Sequence, residues 1–129
     1  EDGRILMLQH AGESGWRPPA GFCDLGENIA QTAVREVWEE TGLHIEPLNI
    51  IAVHATPELN VIYPNGDQIR NVGVVFCAQI QGGSLDIDDD EIAAATWMST
   101  DEILANVPES RRWYYELLVV NLNGGYFVC

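Results

Sequence analysis

The chain has 129 residues, 47% of them hydrophobic, so it is long enough to bury a sizeable core and reads as a single domain over residues 1–129. Its formal charge is −14, from 20 acidic residues against six basic ones, and every basic residue is an arginine. Such a surface repels nucleic-acid backbones and anionic membranes, which excludes both as expected partners, and an anionic small molecule would need a cation in order to be accepted.

The cysteines, Cys23, Cys77 and Cys129, are odd in number, far apart and outside any CxxC pattern, which points to reduced thiols and a cytoplasmic location. Nothing resembles a signal peptide or a transmembrane run, and a start at Glu1 leaves trimming at the front open.

In chain order, residues 4–9 (RILMLQ) read as a buried strand and 10–14 as a loop of small residues. Residues 16–21 (WRPPAG) carry two prolines and must be extended, delivering Gly21 to the following helix where its carbonyl can approach a metal closely. In that helix Ala30, Ala33, Val34, Val37 and Trp38 recur at helical spacing as one apolar stripe, while Glu36, Glu39 and Glu40 share another face. Asn28 caps the start with Gln31 as its partner, and Gly42 supplies the left-handed residue that stops it. Carboxylates three and four apart repel, and the macrodipole also disfavours them near a helix C-terminus. These two local penalties point to a shared hard cation, Mg²⁺ or Mn²⁺. A solvated acidic face is the plainer reading, and for the three glutamates alone the better one.

Residues 46–56 (EPLNIIAVHAT) read as a strand with Ile50, Ala52 and His54 on one face, Ile51, Val53 and Ala55 on the other, and both faces covered. Residues 59–63 and 68–80 form a hairpin whose Asn65-Gly66 pair favours a type I′ turn, and the long second arm should lie centrally and end at Gly82-Gly83. An acidic run, 86–91, precedes a short strand at 95–98 (ATWM). Ser99 opens a helix with Glu102 completing its capping box, Pro108 breaks it, and 109–121 form a terminal helix; residues 126–129 are too few to assign. The chain shows no internal repeat, low-complexity stretch or linker. His10, His44 and His54 form no cluster and read as structural. A calcium loop is disfavoured, because Glu91 stands where the glycine after Asp86, Asp88 and Asp90 is required and Trp97 occupies the twelfth position.

Taken together, the spacing is Gly21, five residues, Glu27, seven residues, then Arg35-Glu36-Val37-Trp38-Glu39-Glu40-Thr41-Gly42-Leu43. Seven fixed residues coincide by chance on the order of once in 10⁸ starting positions. The segment resembles the signature of the Nudix hydrolases, relatives of the MutT pyrophosphohydrolases, with every fixed position and both aliphatic ones, Val37 and Leu43, filled. The resemblance implies an α/β fold, an α/β/α sandwich around a mixed β-sheet, which the order of elements also suits. It implies hydrolysis of a nucleoside diphosphate linked to a group X, by attack of water on a phosphorus of the diphosphate with Mg²⁺ or Mn²⁺. On the matching positions Glu36, Glu39 and Glu40 become metal ligands, with the Gly21 carbonyl a fourth candidate. Arg35 pairs with Glu27, either to hold the loop and orient the carboxylates or as a simple helix salt bridge. A further carboxylate from outside the signature falls to Glu91, six residues before Trp97, against Asp88, Asp89 and Asp90 and against a plain solvated loop. The family places another strand ahead of residues 4–9. Either the sheet lacks it, or a missing segment or a neighbouring chain, as in a homodimer, fills the place.

For the substrate, the Pro18-Pro19-Ala20-Gly21 form and Pro57 are similar to features of the ADP-ribose and nucleotide-sugar branch. Arg17 and Arg70 are the candidate phosphate or ribose contacts. Trp16, Tyr63 and Phe76 could stack on a base, although an aromatic in a domain of this size is more often core. The alternatives are a MutT-like nucleoside triphosphate pyrophosphohydrolase, a nucleotide sensor that binds without cleaving, and an acidic interaction domain without chemistry. Sensors commonly lose a signature carboxylate, and none is lost here.

Overall fold

A computed structural model describes residues 3–55, 60–87 and 90–122. The elements run β1 (Ile5–His10), α1 (Ile29–Thr41), β2 (Leu43–His54), β3 (Asn60–Ile62), β4 (Gln68–Arg70), β5 (Gly73–Gly83), β6 (Ile92–Met98), α2 (Thr100–Asn106) and α3 (Glu109–Leu122).

The layering follows from the two-residue period of β1, which sends successive side chains to opposite faces. Leu6 and Leu8 pack with Leu43 and Ile92 against Val37 of α1. Met7, between them, joins Ile51, Ala52, Met98, Ile103 of α2, and Tyr115 and Leu118 of α3. Helix α1 therefore covers one core and α2 with α3 the other, giving the α/β/α arrangement. Strand β1 pairs with β6, β2 with β5, and β3 with β4, each pair antiparallel.

The helix ends form as local chemistry dictates. Asn28 and Gln31 close a capping box on α1, Ser99 and Glu102 close one on α2, and Gly42 ends α1 at φ 70°. Beyond that cap the chain is clamped. Thr41 is fully buried, its carbonyl accepts the Asp86 N–H at 2.9 Å, and a Cβ on Gly83 would fall 2.3 Å from the Gly42 carbonyl oxygen. The end of α1 is thus locked against the end of β5.

Four expectations are corrected. Strand β2 is not covered on both faces: Ile50 is 38% and Val53 63% exposed, whereas the neighbours Ile51 and Ala52 are both buried. Register shifts between Pro47 and Asn49 and between Ile50 and Ala52 interrupt the alternation, because each puts an extra residue into β2 that re-aims the side chains that follow. Trp38 leaves the apolar stripe, 52% exposed, and its ring lies along that of His44 with centroids 6.4 Å apart. The hairpin turn is centred one residue earlier than type I′ requires. The Gly66 N–H donates to the Tyr63 carbonyl at 2.9 Å, so Pro64-Asn65 are the central pair and Gly66, at φ 93°, follows as the left-handed residue. Proline's fixed φ suits the first central position of a type I turn, and that preference wins over the Asn-Gly pair. The second arm is divided as well, and it does not lie centrally: β4 pairs with β3, and from Gly73 onward the chain pairs among the described residues with β2 alone, because the cleft described below runs along its other edge.

A cleft of about 470 Å³ separates β1 from β5. Successive residues 75–80 all line it, so it is the edge of β5 that borders it, and no acidic side chain does. Among the described residues no helix is long and apolar enough to cross a membrane. Cys23 and Cys77 carry free thiols.

Candidate active site

One arginine organises the outer half of the site. Arg35 Nε donates to Glu27 Oε1 at 2.7 Å, and Nη2 to Glu27 Oε2 at 3.1 Å and to the Phe22 carbonyl at 2.8 Å. Its Nη1 reaches Glu36 Oε1 at 2.9 Å and Glu39 Oε2 at 3.0 Å. Only the planar five-donor guanidinium can serve three carboxylates and a carbonyl at once. Glu27 also accepts from the Asp24 N–H and the Thr32 hydroxyl. The Arg35 hydrogen bonds hold the Glu27 carboxyl far below the usual range, at about 2, and the same contacts make the guanidinium still harder to deprotonate. The Arg35 pairing expected from the spacing is present, and it reaches beyond a helix salt bridge to fasten the 22–27 loop onto α1.

Gly21 sits against Glu36. A Cβ built on it would lie 1.9 Å from Glu36 Cδ, backed on the other side by no slack in a carboxylate that Arg35 already holds. Gly21→Ala should therefore displace the Glu36 carboxylate. The expected result is at least a tenfold weaker Mg²⁺ or Mn²⁺ affinity by calorimetry with an unchanged far-ultraviolet dichroism spectrum, and wild-type affinity would show that Glu36 can move aside.

The inner half is buried. Glu40, 3% exposed, accepts the Ala20 N–H at 3.1 Å through Oε2, while Oε1 lies 3.4 Å from His10 Nε2. Burial pushes its carboxyl up to about 7, and the nearby charges of Glu36 and Glu91 push the same way. Burial also lowers the His10 pKa, helped by Arg17. Glu91 stands just ahead of β6, and its carbonyl accepts the Ala11 N–H at 2.9 Å, which ties it to the end of β1. Ligand atoms of His10, Glu40 and Glu91 all lie within 4.8 Å of one another.

Of the residues singled out from sequence, the fold brings Gly21, Glu27, Arg35, Glu36, Glu39, Glu40 and Glu91 around one end of α1. Arg17 pairs with Glu13 at 3.4 Å and acts electrostatically on both His10 and Glu40, so it stands at the rim. Trp16 is partly buried against the Met7 core, and its backbone carbonyl accepts the Tyr115 hydroxyl. Arg70 lies on the separate β3–β4 hairpin, and no described contact joins it to the carboxylates. Pro57, Asp88 and Asp89 fall outside the described residues. His10 is the residue that the sequence reading left aside. The signal was its parity with Leu6 and Leu8, which points it toward α1.

The donor set suits a divalent cation: carboxylates that cannot all be neutralised by Arg35 and a backbone approach that only glycine allows supply oxygen ligands, and a buried imidazole nitrogen without a hydrogen-bond partner lies beside them. An α/β/α sandwich carrying such a cluster at the end of a clamped helix defines a class of metal-type acidic site. The model of the NUDIX domain matches residues 1–118, and the chain belongs to that family.

Among its relatives, a MutT-like protein of Streptomyces ambofaciens is 32% identical over 109 residues, 84% of this chain and 64% of that protein. The NAD-capped RNA hydrolase NudC of Actinobacillus succinogenes is 30% identical over 91% of this chain and 40% of its own length. The phosphatase NudJ of Escherichia coli is 29% identical over 80% of this chain and 65% of its own. The chain thus spans between 40% and 65% of the length of these relatives. A solved UDP-X diphosphatase superposes with a TM-score of 0.76 at 27% identity, covering 96% of this chain and 59% of that one. An ADP-ribose pyrophosphatase from Streptococcus suis shares the fold at a TM-score of 0.72 and 21% identity, covering 99% of this chain and 89% of that one.

Proposed function

We propose that the protein is a divalent-metal-dependent pyrophosphohydrolase that cleaves a nucleoside diphosphate linked to another moiety, with ADP-ribose or a nucleotide sugar as the favoured class, acting in the cytoplasm. The observation that carries this reading is the convergence of Glu36, Glu39, Glu40 and Glu91 from two separate elements beside Gly21. A diphosphate is protected by its own charge, and a bound Mg²⁺ or Mn²⁺ supplies neutralisation and a water of lowered pKa. Glu36, Glu39, Glu40, Glu91 and the Gly21 carbonyl hold it. Arg35 fixes the directions of Glu36 and Glu39, and Glu27 anchors Arg35 to the loop. Arg17, at the rim, meets the phosphates.

A substrate with a neutral sugar beyond its diphosphate suits a chain of net charge −14 better than a triphosphate does, since less charge needs neutralising. The names of the UDP-X diphosphatase and the ADP-ribose pyrophosphatase support the same class. The MutT-like relative supports the second reading, a nucleoside triphosphate pyrophosphohydrolase. A capped RNA, the substrate in NudC's name, also carries a diphosphate link, but its polymer meets the same repulsion. Steady-state kcat/KM for ADP-ribose, UDP-sugars and each dNTP at one Mg²⁺ concentration is expected to favour the diphosphates. A tenfold preference for any triphosphate would establish the second reading instead, and binding without turnover of any of them would make the domain a sensor.

A further inference from the structure

The geometry points to His10 as a nitrogen ligand of the metal centre, making it a site for a transition-metal divalent cation such as Mn²⁺ in preference to Mg²⁺. This rests on reading the α1 carboxylates as a metal centre. It adds an imidazole to a donor set otherwise made of oxygens.

Three observations place His10 there. It continues the Leu6, Leu8 face of β1, which is the face turned toward α1. The β1–β6 register passes over Ala93 between Gln9 and His10, a bulge on β6 that leaves the parity of β1 intact and re-aims the β6 chain just after Glu91. The residue is only 8% exposed, yet its Nε2 has no hydrogen-bond partner. A buried imidazole nitrogen facing two carboxylates costs stability unless something positive lies between them.

The spacing fits a shared ion. Two donors on opposite sides of a small divalent cation, each about 2.1 Å from it, are about 4.2 Å apart, and adjacent donors are closer. The His10, Glu40 and Glu91 donor atoms lie within 4.8 Å, a separation that a slight inward rotation closes. A direct His10 to Glu40 hydrogen bond is the competing account. At 3.4 Å the contact fails as one, and it would leave Glu91 unused.

The chemical consequence is discrimination between metals. Mg²⁺ holds oxygen donors and its waters, whereas imidazole binds first-row transition ions well, so a nitrogen donor raises Mn²⁺ affinity with little gain for Mg²⁺. Removing the nitrogen should therefore affect the two ions unequally.

The experiment is Mn²⁺ binding followed by electron paramagnetic resonance, with pulsed detection of nitrogen coupled to the ion. Wild-type protein is expected to show a histidine nitrogen coupling that changes isotope when the chain is made with ¹⁵N-histidine. Among the described residues His10 is the histidine whose donor atom lies with the carboxylates, whereas His44 stacks on Trp38 and His54 lies edge-on to Tyr114, so the coupling is assigned to His10. In His10→Gln the coupling should vanish and the Mn²⁺ dissociation constant rise at least tenfold, while that for Mg²⁺, by calorimetry, changes less than threefold. Bound Mn²⁺ without nitrogen coupling, or equal weakening of both ions in His10→Gln, overturns the inference. If that variant fails to fold, the labelled wild-type spectrum alone decides. Mg²⁺-dependent hydrolysis with no nitrogen coupling leaves the proposed function standing and removes only the ligand. Absence of both ion binding and hydrolysis removes the two together.

Discussion

Glu40→Gln should make the metal-free protein more stable while lowering kcat by about three orders of magnitude. The stability half follows from the buried carboxyl, whose pKa in the fold is about 7 against an ordinary 4.5. Between those values the folded chain binds the proton more tightly than the unfolded one, so this group's contribution to stability is greatest below pH 4.5 and is lost as pH rises through 7. At 1.36 kcal/mol per unit, the loss approaches about 3 kcal/mol above pH 7. A glutamine has no proton to lose. Its oxygen can keep the Ala20 N–H, and its amide can donate to the orphaned His10 nitrogen. Calorimetric melting at pH 5 and pH 8 in chelator should show a lower melting temperature at pH 8 for wild type and little slope for the variant. An equal slope in both would assign the effect to other groups. The activity half rests on the proposed metal centre, from which the variant would remove one ligand charge and so weaken the neutralisation a bound cation would supply to the diphosphate. Full turnover in Glu40→Gln would remove Glu40 from the chemistry.

Arg35→Ala should lower kcat/KM by at least 100-fold and raise the pH at which acid unfolds the protein. Arg35 touches no substrate in this reading; it sets the directions of Glu36 and Glu39 and fastens the 22–27 loop through Glu27 and the Phe22 carbonyl. Partners behind metal ligands are commonly worth 10- to 100-fold, and this one orients two ligands at once. The acid effect has a definite window. The Glu27 carboxyl sits at about 2 in the fold, so its contribution is present above its ordinary value of 4.5 and is lost as pH falls toward 2. Without Arg35 that contribution is absent, and unfolding begins at higher pH. Arg35→Lys keeps the charge but cannot reach three carboxylates and a carbonyl, so it should restore the acid behaviour more than the activity. A lysine variant with wild-type kcat/KM would reduce Arg35 to a simple charge.

What could be read from sequence is what local chemistry decides. Asn28 with Gln31, Ser99 with Glu102, and Gly42 depend only on neighbours a few residues away, and each forms as expected. The Arg35 to Glu27 contact spans eight residues, yet the fixed spacing of the signature carries it. Glu91 was placed by its offset from Trp97, and the β1–β6 pairing brings it to Glu40. The errors have a different origin. Bulges in β2 change which face Ile51 and Ala52 occupy; Pro47 marks the first of them, but nothing in residues 48–56 marks the second, between Ile50 and Ala52. Helical period gives the direction of the α1 stripe but not its width, so Trp38 at its margin was misplaced. His10 shares the parity of Leu6 and Leu8, but that parity leads to the carboxylates only once the position of α1 against β1 is known, which a lone histidine at a strand end does not disclose.

The two sides of the site are held with unequal firmness, and this sets which of them can open. The end of α1 is locked by buried Thr41, the Asp86 hydrogen bond and the Gly42–Gly83 approach, so releasing it requires disrupting the core. Residues 20–26 are exposed and joined to the helix through Arg35, the Ala20 N–H and Glu27. Few buried contacts hold the loop, so its local opening is governed by the hydrogen bonds that Arg35, Glu27 and Glu40 make to it. Breaking those bonds frees the loop without unfolding the core, and because Arg35 also directs Glu36 and Glu39, a released loop and a misaligned pair of carboxylates are expected to come together.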